Sequence, residues 1–421
     1  MKNITKLRSL CAATLLTAGI SGSCFAGNVT VWAWDPNFNV AAMNEAAARY
    51  EKGHPDFHLK VIDSGKEDIE QKLQTMLASG ITSSLPDIVL IEDYNAQKYL
   101  QSYPGSFVPL QKSIDYSQFA PYKVKVMTVG NQVYGVPFDS GVAGMFYRSD
   151  YLKKAGFSDA DLQNISWDRF IEIGKQVKAK TGVAMLAYDI NDVVLPHIMM
   201  QSAGQWYFDK DGKLNIAHNT ALKATLQTIK KINDAKIVRP TSGWSNFVGG
   251  FNSGKLASVV SGVWIIGSIK SVPDQSGKWR VAPIPSLNIP GATHASNQGG
   301  SSWYVLTKGK NTKEAIEFLN AEFAHDTDLY QKLLVDRGAL ATYLPANHGY
   351  AYQVKDPFFG GQQVFADFSK WVAQIPQVSY GMYTQEVDNA IAAEIPALLN
   401  GESIDKILSR VETNLRYQIM Q

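Results

Sequence analysis

Cysteine is nearly missing from this 421-residue chain: Cys11 and Cys24 are the two present, and both fall within the first 26 residues. Beyond that stretch structural disulfides, thiolate catalysis and cysteine-based zinc sites are excluded. Neither sign of charge dominates, since 40 basic and 38 acidic side chains leave a formal +2. Such a balance asks for no nucleic acid and no anionic membrane surface as a partner. The glycine-framed serine of a nucleophile elbow, the His-Glu-x-x-His helix, the Walker loop and the Rossmann glycine fingerprint are all absent. So are internal repeats, low-complexity tracts and flexible linkers. No cofactor is called for.

What is present begins with a leader. Lys2, Lys6 and Arg8 precede an apolar run from about Leu10 to Ile20, the layout of a secretory signal peptide. That run is too short to span a bilayer. Cleavage after Ala26 fits the small-residue rule, with Ala26 and Cys24 at the last and third-last positions. Residues 1–26 are therefore set apart from the fold, and a periplasmic location follows. Cutting before Cys24 with lipid attachment there is the minor alternative, because Ser21 stands where that processing wants leucine. Loss of the three basic leader residues takes the formal charge from +2 to −1, three cations fewer.

The remaining 395 residues, 421 less 26, exceed the size at which single cores stop growing, so two domains are expected. NVTVWAW reads as a strand, residues 39–52 as a helix and HLKVIDSG as a second strand. Ile69, Leu73, Met76 and Leu77 then recur at helical spacing, and Gly80 closes that helix. The unalternating run IVLI after Pro86-Asp87 suggests a strand buried on both faces. Three strands separated by two helices imply a parallel, doubly wound α/β unit. In such a unit ligands sit beyond the carboxyl ends of the strands, which draws attention to Trp34-Asp35, Asp63 and Glu92-Asp93-Tyr94. Their alternative role is capping the next helix. Further along, Ser166 caps an expected helix carrying Trp167, Phe170, Ile171 and Val177. Residues 206–216 read as two short strands around an Asp211-Gly212 turn, in preference to a calcium loop. Ile404, Ile407, Leu408, Val411 and Leu415 mark a terminal helix starting at Ser403.

Taken in order, PDIVLIEDYN, YGVPFDSGVAGMFYRSDYLKKAG, the Asp-Gly hairpin, FNSGKLASVVSGVW, APIPSL and NQGGSSWYVLTKG resemble the carbohydrate-binding branch of the bacterial extracellular solute-binding proteins. The likeness covers nearly the whole mature chain, and IPQVSYGMYTQEVDNAIAAEIPALLNG is similar to the end of the maltose-binding member. It implies a periplasmic-binding-protein fold: two α/β lobes joined by hinge crossings, with the ligand cleft between them. One lobe would take residues 28–138 and 302–350, the other 139–301 and 351–421. Crossings would fall near Pro137 to Gly141, Gly299 to Ser302 and Tyr350. The implied role is the substrate-binding component of an ABC importer, working as a monomer beside separate permease and ATPase chains and catalysing nothing.

Sugars offer hydroxyls at the rim and C–H faces, so their sites combine flat aromatics with acceptors such as carboxylates. Trp34, Trp206, Trp264, Tyr343, Tyr380 and Tyr383 are candidate platforms. Gly262-Val263-Trp264 matches the stretch whose tryptophan stacks on sugar in the family. Resemblance also supports Asp139, Asp93 and Asp35 as rim acceptors. Ser140 lies in the Pro-Phe-Asp-Ser hinge segment, and Gly300 and Ser301 can offer backbone and hydroxyl groups or serve hinge geometry alone. Met382 replaces a tryptophan of the maltose-binding member, which puts maltodextrin specificity in doubt. The rivals are a periplasmic glycosidase with paired carboxylates, or the same fold carrying a polyamine, a polyol phosphate near Arg148, or iron on Tyr94, Tyr343 and Tyr383. His54 and His58 flank Pro55-Asp56 and make a poor metal pair, and His197 in PHIMM reads as a packed histidine.

Overall fold

A computed structural model describes residues 28–36 and 38–419, apart from the side chain of Glu67. The expected leader and Cys24 lie outside the described residues. The first strand, Asn28–Ala33, pairs in parallel with His58–Asp63 on one side and Ile88–Glu92 on the other. This is the strand, helix, strand order of the sequence, with helices Asn39–Tyr50 and Lys66–Ser79 as the connections. Gly80 ends the second helix in the left-handed conformation, φ 70°, where a Cβ is penalised.

The sheet then departs from a purely parallel plan. Ser301–Val305, more than 200 residues later by its numbering, enters antiparallel between Ile88–Glu92 and Gly135–Pro137. Pleating sends alternate side chains of this five-stranded sheet to opposite faces. Val29, Val31, Ala33, Leu90 and Trp303 pack with Met43, Phe318 and Leu329 of the helices on one face. Trp32, Val89, Ile91 and Tyr304 meet Ile69, Leu73 and Tyr99 on the other. With both faces covered, Ile88 to Ile91 are all buried, which is why that run shows no alternation.

The second α/β unit is built on an antiparallel sheet of Ser258–Gly262, Ala143–Arg148 and Trp279–Ala282, with Ala143–Arg148 in the middle and buried along its whole length. A parallel pair, Leu186–Tyr188 with Val238–Pro240, continues it through the Ser258 N–H to Met185 O bond of 2.8 Å. Ser166 caps helix Trp167–Thr181 by accepting from the Arg169 N–H. The terminal helix runs Ile404–Ile419 and buries Ile407, Leu408, Val411 and Leu415, leaving Ile404 at the margin.

The expected hairpin at 206–216 is smaller than its sequence suggests. Phe208 and Leu214 form a single bridge and no strand develops. The reason is local: Asp209 turns its carboxylate inward to accept the Asp211 and Lys213 N–H groups at 2.9 Å each. That self-capping turn favours a tight loop over two extended arms.

Candidate functional site

Where the units meet, two chain crossings lie side by side. Val142 and Asn297 bridge, and the Gln298 N–H donates to Gly141 O at 2.7 Å. Gly141 is required here, because a Cβ on it would stand 2.0 Å from Gln298 O. Beneath the crossings is a fully buried ion pair: Lys123 Nζ reaches both Asp93 carboxylate oxygens, at 2.7 and 2.8 Å, and the Asp139 carbonyl at 2.8 Å. Burial pushes the Asp93 carboxyl up to about 7, with Lys123 pulling the other way. Asp139 is raised for the same reason. Its Oδ1 accepts from both the N–H and the hydroxyl of Ser301.

Beside the crossings opens a cavity of about 450 Å³, within the range of small-ligand sites. Trp34, Asp35, Glu92 and Tyr94 line it from the ends of the parallel strands. Asp139, Gly300 and Ser301 line it from the crossings, and His197, Trp244 and Trp264 from the second unit. Trp244, Trp264, Val194 and Gln298 are shared with a narrower chamber of about 290 Å³ that reaches Tyr188, Asp189 and Phe247. The two form one elongated cleft.

Local backbone explains how the side chains arrive. Asp35 follows the first strand with φ 61°, a left-handed turn that Asp tolerates better than most residues. Trp264 lies in a short turn after Ser258–Gly262, and its indole crosses directly over Gly262, where a Cβ would meet Nε1 at 2.3 Å. The same Nε1 donates to Gln298 O at 3.0 Å. Trp244 opens helix Gly243–Asn252, 52% exposed, with its ring 5.7 Å from that of Trp264.

Of the expected site residues, the structure therefore brings Trp34, Asp35, Asp139, Trp264, Gly300 and Ser301 to one cavity. It does not bring the other six. Asp93 begins helix Asp93–Ser102 and turns under the crossings to Lys123, so its neighbour Glu92 faces the cavity, paired with Lys66. Ser140 is buried and bonded to the Tyr122 hydroxyl at 2.7 Å. Trp206 stands behind Tyr94, the rings stacked at 5.7 Å, with its Nε1 donating to Thr384 Oγ1. Tyr380, a further candidate platform, packs edge-on against both. Tyr343 packs on Phe119, and Tyr383 packs against the core. Tyr94, Tyr343 and Tyr383 are consequently not assembled as an iron site would need. Among the described residues no cluster of three or more His, Cys, Asp or Glu side chains is placed to hold a metal ion. Arg148 is held by Asp150 through two bonds of 2.8 and 2.7 Å, away from the cavity. Glu92 and Tyr94 stood among the strand-end residues of the sequence. Trp244 carried no comparable signal, and His197 was read only as packing.

Two α/β units enclosing a ligand-sized cleft, with carboxylates and Trp34 on one wall and Trp244 and Trp264 on the other, define a solute-binding shell. The profile of the family described as bacterial extracellular solute-binding protein matches residues 45–358, and the chain belongs to that family. It is 57% identical over 411 residues to the lactose-binding protein of Rhizobium radiobacter, covering 98% of this chain and 97% of that one. The arabinooligosaccharide-binding protein of Bacillus subtilis is 28% identical over 73% of this chain and 72% of its own. Among solved structures, an extracellular solute-binding protein of family 1 superposes with a TM-score of 0.78 at 20% identity, covering 92% of this chain and 98% of that one. The galacto-N-biose/lacto-N-biose I-binding protein of Bifidobacterium longum, in complex with lacto-N-biose, gives 0.75 at 21% identity, over 94% and 98%. Among the described residues no helix is long and apolar enough to cross a membrane.

Proposed function

We propose that this chain is the carbohydrate-capturing component of an ABC importer and that its ligand is lactose or a closely similar disaccharide. The observation that carries the reading is the cleft itself, in which Asp35, Glu92 and Asp139 face the indoles of Trp244 and Trp264 across about 450 Å³. Carboxylates accept hydroxyl hydrogens strongly, and indole faces cover the C–H surface of a sugar ring. The 57% identical lactose-binding relative supports the choice of sugar. Residues 28–138 with 302–350 form one lobe and 139–301 with 351–421 the other. The lobes close on the ligand about the crossings at Gly141 and Gln298, and the closed form is the one a membrane permease with its ATPase accepts. Trp34, Gly300 and Ser301 contact the sugar with the residues above. Asp93, Ser140, Trp206, Tyr343 and Tyr383 hold the shell around it. No bond is made or broken, the protein acts as a monomer, and residues 1–26 export it to the periplasm.

Thermal unfolding of the mature protein with lactose, maltose, cellobiose, spermidine, glycerol phosphate and ferric citrate tests this reading. At a hundred times its dissociation constant a ligand adds about 2.7 kcal/mol to native stability, a rise of several degrees in melting temperature. The expected result is a rise with lactose and no hydrolysis of it on incubation. A response confined to a non-sugar overturns the cargo, and release of free galactose overturns the binding-only role.

A further inference from the structure

The sequence offers His197 only as a packed histidine, and its ring is indeed buried, tilted 4.6 Å from Trp206 and 4.9 Å from Tyr94. It also lines the cavity. Its two nitrogens are not equivalent. Nε2 lies 2.7 Å from Asp388 Oδ1, whereas Nδ1 makes no hydrogen bond among the described residues. A carboxylate beside one imidazole nitrogen fixes the N–H there and leaves the other nitrogen as an acceptor. Asp388, on helix Thr384–Leu399, is thus placed to orient an imidazole at the cleft wall. The geometry points to His197 as a specificity-determining residue: Nδ1 accepts one hydroxyl of the bound sugar, and Asp388 acts as its positioning residue. Tyr94 and Tyr207 pack against the imidazole, with ring separations of 4.9 and 6.0 Å, and help to hold its orientation.

This inference rests on the carbohydrate reading, and two variants separate it from a purely structural role. His197→Gln places an amide near Nε2, keeping the contact with Asp388 while removing the Nδ1 acceptor. His197→Asn does the reverse, keeping an oxygen near Nδ1 and abandoning Asp388. Lactose titration calorimetry and melting temperature are measured on both. The expected pattern is crossed: Gln loses about ten- to hundredfold in affinity, the effect of leaving a buried hydroxyl unpaired, yet melts near the parent. Asn melts lower and keeps more of the affinity. Affinities that follow the melting temperatures in both variants overturn the proposal.

Singly deoxygenated lactoses titrated against both the parent and His197→Gln assign the contact. At the one hydroxyl that His197 accepts, the parent should lose affinity and His197→Gln should bind lactose and the deoxy analogue alike, whereas losses at hydroxyls held by Asp35, Glu92 or Asp139 persist in both proteins; equal losses in parent and variant at every position overturn the proposal. Parent protein that ignores lactose but binds another disaccharide defeats only the choice of sugar, and the same series is then read with that disaccharide. If no carbohydrate binds, both readings fall together.

Discussion

Asp93 and Lys123 show how one residue step decides a role. Both side chains are fully buried and satisfy each other at the joint between the crossings. Removing only the ammonium strands a carboxylate in a low-dielectric place, which costs about 3–5 kcal/mol. Chemical denaturation should show that loss for Lys123→Met, while the double variant Asp93→Asn with Lys123→Met should recover most of it. A double variant no better than the single would mean that the lysine stem, and not charge compensation, holds this joint. The same pair explains where sequence reading fell short. A strand end followed by Glu92-Asp93-Tyr94 announces polar groups, but which one faces the ligand depends on where the strand stops and the helix turns. That joint sends Asp93 inward and leaves Glu92 and Tyr94 at the cavity. Trp264 was legible as a cavity residue through the likeness of Gly262-Val263-Trp264 to the family's Gly-x-Trp stretch. Trp244 was not, since nothing in Ser-Gly-Trp-Ser distinguishes a rim indole from any other exposed one.

Among the elements, helices Asn39–Tyr50 and Thr312–Phe323 pack on one face of the five-stranded sheet, and their polar margin joins Arg49 to Asp326 and Glu322. Asp326 takes the close contact at 2.6 Å, leaving Glu322 at 3.9 Å. Burial and the Asp326 charge push Glu322 up to about 7, with Arg49 opposing. A carboxyl raised in the folded state favours folding while protonated. Its contribution is full below about pH 4.5 and is lost as pH rises to about 7. Glu322→Gln should therefore gain in melting temperature relative to the parent between those values and hold a constant advantage above them. A difference between the two proteins that does not change with pH would refute this. Helix and strand positions were largely readable from periodicity and capping, as at Ser166 and Gly80. The antiparallel insertion of Ser301–Val305 was not, because strand partners distant in sequence leave no local mark.

At the scale of the whole molecule the two units meet at the crossings. Gly141 and Gln298 touch backbone to backbone, and a methyl group at 141 would collide with Gln298 O. Gly141→Ala should cost about 3 kcal/mol of stability and blunt the compaction expected in X-ray scattering when the parent closes on its proposed sugar. Compaction of the variant equal to the parent's would show that the crossings tolerate separation and that the hinge lies elsewhere. Two-lobed architecture was legible from length and from the spread of family-like stretches. Cleft shape was not, since it depends on how far the strand ends of one unit stand from the turns of the other.

The bond from Trp264 Nε1 to Gln298 O joins a cleft indole directly to a crossing strand. Trp32, Trp167, Trp279 and Trp303 are sealed within one unit or the other, whereas Trp206 is buried against Tyr94 across the junction. The emission spectrum of the protein thus divides into a background from those four and a component from Trp34, Trp244 and Trp264 at the cleft, with Trp206 behind Tyr94. The second component reads the crossing and the occupant at once, so the protein carries its own optical gauge of filling without an attached dye.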